Sequence, residues 1–502
     1  MKAHSNYHPS LSFVHIIGLL KKSVCRRGLR FSAAFCSGVL LLMLVRAVAV
    51  AESQPDADCP TLDWGGPGVR NTLGGYILPN AIFPTNDTAH LPTPDCNFHQ
   101  WSWEAFVWAT TPNSNGVLRF LTLPTPDDLT GPKGGEIAPR GHPLRLGLRT
   151  PSDYAGAIVE ADGNMLVSQD GHPVYASVHM NQSYFTTAKS NLIVNGGYTS
   201  QPLDSYFSPG AAVFKATWLR VGPGQPAPAG AYTTKATVPL LTAVTNNFTN
   251  IVVTTSGKVT NVTVALVGLH VVGYTANHPE FLWGTFEHRL NAPMLADNTF
   301  TNTGVSTNNY TFYKAGTSFG AVNIANQGPP PSLTFHQKTS TFSPVTQAVQ
   351  ENRTGGENNS TNGPANIAVL NQSAHQFLVG LTNAQSVFAN YNLIGTVWLK
   401  PNTYVASITN YSGLFTVGLC PLAVGSVNLA NTTAETFVQV PSNSNPNTVQ
   451  NCFLCHNPGS YTSTNSYSLP LRRIAISHVL SRGTNAAFYG VPNLIPVAKV
   501  AR

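Results

Sequence analysis

Cys452 and Cys455 stand two residues apart, and His456 follows at once in the order Cys-Phe-Leu-Cys-His. That spacing suits covalent attachment of a c-type haem: each sulfur adds to a vinyl group on the porphyrin edge, and His456 lies under the iron as its proximal ligand. A zinc half-site is a second reading of the two thiols, but zinc needs four ligands. No second CxxC occurs in the chain, and its HxxxH, His4 to His8, lies within the first 51 residues, far from the thiols in sequence. A thioredoxin-like redox pair should follow a strand and open a helix, whereas residues 441–450 read as a polar loop.

An electron-transfer haem of this kind takes Met or His as its sixth ligand. His478 is the distal candidate, 22 residues after His456 on an apolar stripe formed by Leu471, Ile474, Ala475 and Val479. The turn-forming segments Pro458-Gly459 and 465–470 permit the chain to reverse between the two histidines. Met165, Met180 and Met294 are the alternatives outside the N-terminal segment. His270, Glu287 and His288 supply candidate acid/base groups, set against the plainer role of capping or bridging strand ends.

Covalent haem of this type implies export. Lys21, Lys22, Arg26, Arg27 and Arg30 form a basic region, Phe31 to Val45 an apolar one, and Ala47–Ala49 or Ala49–Ala51 a small-residue cleavage site. Residues 1–51 therefore read as a signal peptide, and the protein as periplasmic or extracellular. The apolar run is short of the ~20 residues a spanning helix needs, so membrane contact follows only if the leader stays uncleaved. The leader holds seven of the 28 Lys and Arg and none of the 21 Asp and Glu, so the remainder is formally neutral. The overall pI of about 9.0 is the leader's property and predicts no nucleic acid partner. Five cysteines remain after the leader. Pairing Cys59 with Cys96 would brace the Gly/Pro-rich opening, leaving Cys420 unpaired; the alternative is that all three are free and buried.

The elements that position the motif belong to a body at 52–440, followed by the haem-attachment segment and a terminal helix at 441–502. Phe98, Trp101, Ala105 and Trp108 predict one face of a helix, with Asp95 as its cap. Residues 211–220 alternate as a half-buried strand. Residues 250–275 predict two or three strands with a turn at Ser256-Gly257 and a break at Gly268. Residues 281–288 and 396–399 read as further strands. The Gly/Pro run at 222–230 is a possible break, and 296–366 is a long Asn/Thr-rich excursion. Ser373 and Gln376 suggest a capping box opening a helix through Tyr391. Together these predict a β-rich α+β fold, a sheet-based body with a few helices and a C-terminal c-type haem segment.

Several segments resemble exported bacterial proteins of the cytochrome c family, an uncharacterised group with a single C-terminal CxxCH. They are Trp101-x-Trp103-x-x-Phe106, Phe214–Trp218, Val267–His270, Trp283–His288, Asn291–Pro293, Asn431–Phe437 and Cys452–His456, spread over roughly residues 97–460. The resemblance implies one haem c, electron transfer and a redox partner protein, and no substrate. A small cytochrome c domain is excluded, because only 46 residues follow His456 and the body must wall the haem. Three functions stay open: an electron carrier, a haem enzyme or gas sensor with an open distal iron site, and a binding module in which haem is structural. An optical spectrum separates the first two, as low-spin six-coordinate or high-spin ferric iron.

Overall fold

The chain separates into two units, Met1–Glu52 and Ser53–Arg502. The computed structural model describes Cys59 and residues 83–84, 94–130, 144–145, 160, 163–190, 207–222, 226–246, 250–294, 305–327, 330–350, 363–381, 384–400, 423–439, 452–456, 476–477 and 495–501. The predicted leader and its cleavage sites, Cys420 and His478 lie outside these residues, as does the predicted terminal helix apart from 476–477.

Elements run in the order α1 (Pro94–Thr110), α2 (Pro126–Thr130), β1 (Leu144–Arg145), β2 (Val174–Met180), α3 (Gln182–Lys189), β3 (Ala212–Val221), β4 (Thr233–Asn246), β5 (Asn250–Thr275) and β6 (His278–His288). There follow β7 (Thr334–His336), β8 (Thr341–Ser343), α4 (Gly363–Val379), a 3-10 turn at Ala384–Asn390, β9 (Tyr391–Leu399), β10 (Ala423–Gly425), α5 (Cys452–Cys455), β11 (Ile495–Val497) and β12 (Lys499–Ala501). Strand residues make up 39% and helical residues 24% of the described residues, a β-rich α+β fold.

One strand organises the main sheet. β5 runs through 26 residues as one strand and takes partners on both of its edges. On one edge β4 covers its first half and β6 its second; on the other, β3 covers Thr263–Gly273 and β11 covers Ile251–Val253. β9 and β10 extend the sheet beyond β6, and β2 extends it beyond β3. The predicted turn at Ser256-Gly257 and break at Gly268 are therefore corrected. Irregularities are absorbed as register shifts, one at 256–258 between the Thr255–Leu241 and Val259–Pro239 pairs and one opposite Thr217–Trp218, and the strand continues through both. The Gly/Pro run at 222–230 joins two strands that both register on β5.

Side chains alternate across the sheet and build a core on each face. Leu269, Val271, Leu282 and Phe286 face α1 and α4. Val272, Tyr274, Phe281 and Val397 face the opposite way, against Tyr184 and Phe185 of α3. The predicted stripe of α1 is buried as expected, and so are Trp103, Phe106 and Val107 on its other side. Asp95 falls within this helix, which begins at Pro94. Close approach of α1 needs glycine beneath it: a Cβ on Gly273 would come within 2.6 Å of the Trp101 ring.

The capping-box expectation fails at α4. This helix begins at Gly363-Pro364, where proline suits the first turn, so Ser373 lies inside it. Ile367, Leu370, Ala374 and Leu378 form its buried stripe, and the chain past Val379 becomes a turn and a 3-10 segment. The described parts of the Asn/Thr-rich excursion send Leu333, Phe335 and Phe342 into the α1 core. The terminal strands β11 and β12 were not anticipated.

Candidate functional site

Cys452–Cys455 forms a single helical turn, closed by the His456 N–H donating to the Cys452 carbonyl at 2.8 Å. Phe453 anchors the turn. It is fully buried in the core beneath the sheet, edge-on to Trp283 with ring centres 6.1 Å apart. Cys452 and His456 are half-buried beside it.

His456 is held from two directions. Its Nδ1 lies 2.8 Å from the Ile476 carbonyl, and a carbonyl can only accept, so Nδ1 carries the proton. The lone pair is thereby assigned to Nε2, the arrangement in which an imidazole binds a metal. Trp283 covers the ring with centres 4.3 Å apart and planes inclined by 43°. Ile476 is buried in the same core as Phe453, and the next residue, Ser477, hydrogen-bonds the Tyr184 hydroxyl. Burial pushes that hydroxyl's pKa upward, keeping Tyr184 neutral.

His478 follows this strap but lies outside the described residues. Among the methionines, Met180 is fully buried in the core that receives Phe453 and Ile476, Met165 is buried in the α1 core, and Met294 is exposed. Among the described residues no three His, Cys, Asp or Glu side chains gather as a metal-holding group. A haem's proximal side asks for only one such ligand. The donor set fits the group: a half-buried thiol on a helical turn, and an imidazole whose Nε2 is the lone-pair nitrogen.

The acid/base candidates form a separate network on the sheet. Glu287 Oε1 accepts the Thr432 N–H at 2.6 Å, and Oε2 faces the Asn291 amide at 3.4 Å. Burial raises the Glu287 carboxyl to about 7 despite those donors. Glu435 pairs with His270 and accepts the Asn431 N–H at 2.7 Å. Burial works to raise its pKa, but His270, with the more distant Lys215, holds it below the usual range. Burial, aided by Arg289, lowers His288 to about 4, so it is neutral. Glu287 and His288 accept backbone N–H groups of Thr432 and Leu290, and His270 meets the Glu435 side chain. The resembling segments at 214–218, 267–270, 283–288, 291–293 and 431–437 all meet here or at Trp283.

Glu287 gives a pH-dependent expectation. A carboxyl whose folded pKa stands above its unfolded value of 4.5 contributes fully below that value, and the contribution is lost as pH rises through about 7. Glu287→Gln cannot ionise, so its stability relative to wild type should grow by about 3 kcal/mol between pH 4 and pH 8. Urea denaturation at both pH values checks this; a constant difference would contradict it.

Trp283, Ile476 and Tyr184 were not read as parts of the motif's surroundings. Trp283 stood in a resembling segment and was the one with a signal. Ile476 acts through its carbonyl, which no side-chain pattern records. Comparison of the chain with protein-family models, curated proteins and solved structures finds no match.

Proposed function

We propose that this is an exported monohaem c-type cytochrome of the group it resembles, in which Cys452 and Cys455 hold one haem c and His456 Nε2 is the proximal ligand. The observation that carries the reading is the His456 tautomer: Nδ1–H given to Ile476 O leaves Nε2 for the iron. The bound group supplies one-electron chemistry. The chain's own part is to hold the imidazole in one orientation, close the proximal side with Trp283 and Phe453, and keep the surroundings apolar. Transfer to a redox partner protein follows as the function, with no nucleic acid involved.

Export is supported independently by the Cys59–Cys96 disulfide, since such bonds persist in oxidising compartments. This agrees with the leader read at residues 1–51 and with a periplasmic or extracellular location. His478 and Met180 are the candidates for the opposite axial position, and the optical spectrum of each alanine variant assigns it.

The test is replacement of both thiols. Cys452→Ala with Cys455→Ala, expressed with haem-attachment machinery, should carry no haem through denaturing electrophoresis, whereas the parent protein keeps its full complement. Equal staining of the two would overturn the assignment.

A further inference from the structure

Trp283 is placed against His456 by an irregularity in the sheet. Between β5 and β6, Thr275 pairs with His278 and Gly273 with Leu282, so the β6 side carries extra residues as a bulge. Within it Phe281 takes φ 68°, a left-handed conformation that costs energy for a bulky aromatic residue. The bulge is stapled: Glu280 Oε1 accepts the Leu399 N–H of β9 at 3.2 Å and lies 2.7 Å from His278 Nδ1. The Glu280 carbonyl then accepts the Trp283 indole N–H at 3.0 Å. The indole is thus fixed by its own N–H, by the edge of Phe453, and by the pairing of Trp283 with Val272 and Val397. What the fixed ring meets is the face of His456.

We infer that Trp283 is the positioning residue of the proximal imidazole, held by the strained bulge at 279–281 so that its π face sets the orientation and charge preference of His456. This rests on the haem reading above and deepens it. With Nδ1–H on the Ile476 carbonyl and the ring against Trp283, both rotation and tautomer are fixed. The imidazole bears more positive charge when the iron is ferric, and an aromatic face favours positive charge. Trp283 therefore favours the oxidised state.

The experiment compares Trp283→Leu and Trp283→Phe with the parent holoprotein, reading bound haem, ferric electron paramagnetic resonance and midpoint potential. The expected result is full haem attachment in all three, with an altered ferric spectrum and a raised potential in the Leu variant. The Phe variant, which keeps a ring but loses the N–H, should shift in the same direction by less. Should the Leu variant fail to fold, the Phe variant decides alone. Full haem with spectrum and potential unchanged would overturn the role of Trp283 and leave the haem reading standing. A parent protein without covalent haem would overturn both.

Discussion

Trp103→Ala is expected to destabilise the fold by about 4–5 kcal/mol, read as a lowered denaturation midpoint. Trp103 is wholly buried, edge-on to Phe286 and Phe106 with ring centres 4.8 and 5.4 Å apart. Its indole N–H donates to Asn371 Oδ1 at 3.0 Å, linking α1 to α4. Asn371 keeps the Leu393 N–H on that oxygen after truncation, so the cost is chiefly the cavity rather than an orphaned acceptor. Trp103→Phe, which fills most of the space, should cost less than half as much. A loss below about 1.5 kcal/mol for the alanine variant would show that the core collapses around the gap.

The second large effect concerns the disulfide. Cys59 and Cys96 are bonded across a separation of 37 residues, and both are buried in the core containing α1. Closing a loop of that length restricts the unfolded chain by about 4 kcal/mol. Replacing both with serine should lower stability by about that amount, and a reducing agent should do the same to the parent protein but not to the variant. An unchanged midpoint would place the constraint elsewhere. The sequence left this pairing open against three free buried thiols, because connectivity is a matter of spatial approach.

How far the rest was legible depends on the kind of signal. The stripe of α1 and the strand at 281–288 were readable because local periodicity and burial agree there. β5 was not: Ser256 and Gly257 are turn-prone but sit in a register irregularity between the Thr255 and Val259 pairings without ending the strand, and Gly268 is held between Thr217 and Glu287. At α4 the Ser373–Gln376 pattern misplaced the start, since Gly363-Pro364 lay within a stretch that looked irregular. The Cys452–His456 motif needed no structure to be noticed. Its setting did, because the Ile476 carbonyl is backbone and Trp283 reaches His456 through a bulge that leaves no periodic trace.

The central claim is tested most directly by the intact mass of the protein after full denaturation, produced in a cell with haem-attachment machinery. The expected mass is that of the processed chain plus one haem, with the haem increment unchanged by denaturant and lost only when Cys452 and Cys455 are replaced. A mass equal to the bare polypeptide would contradict it.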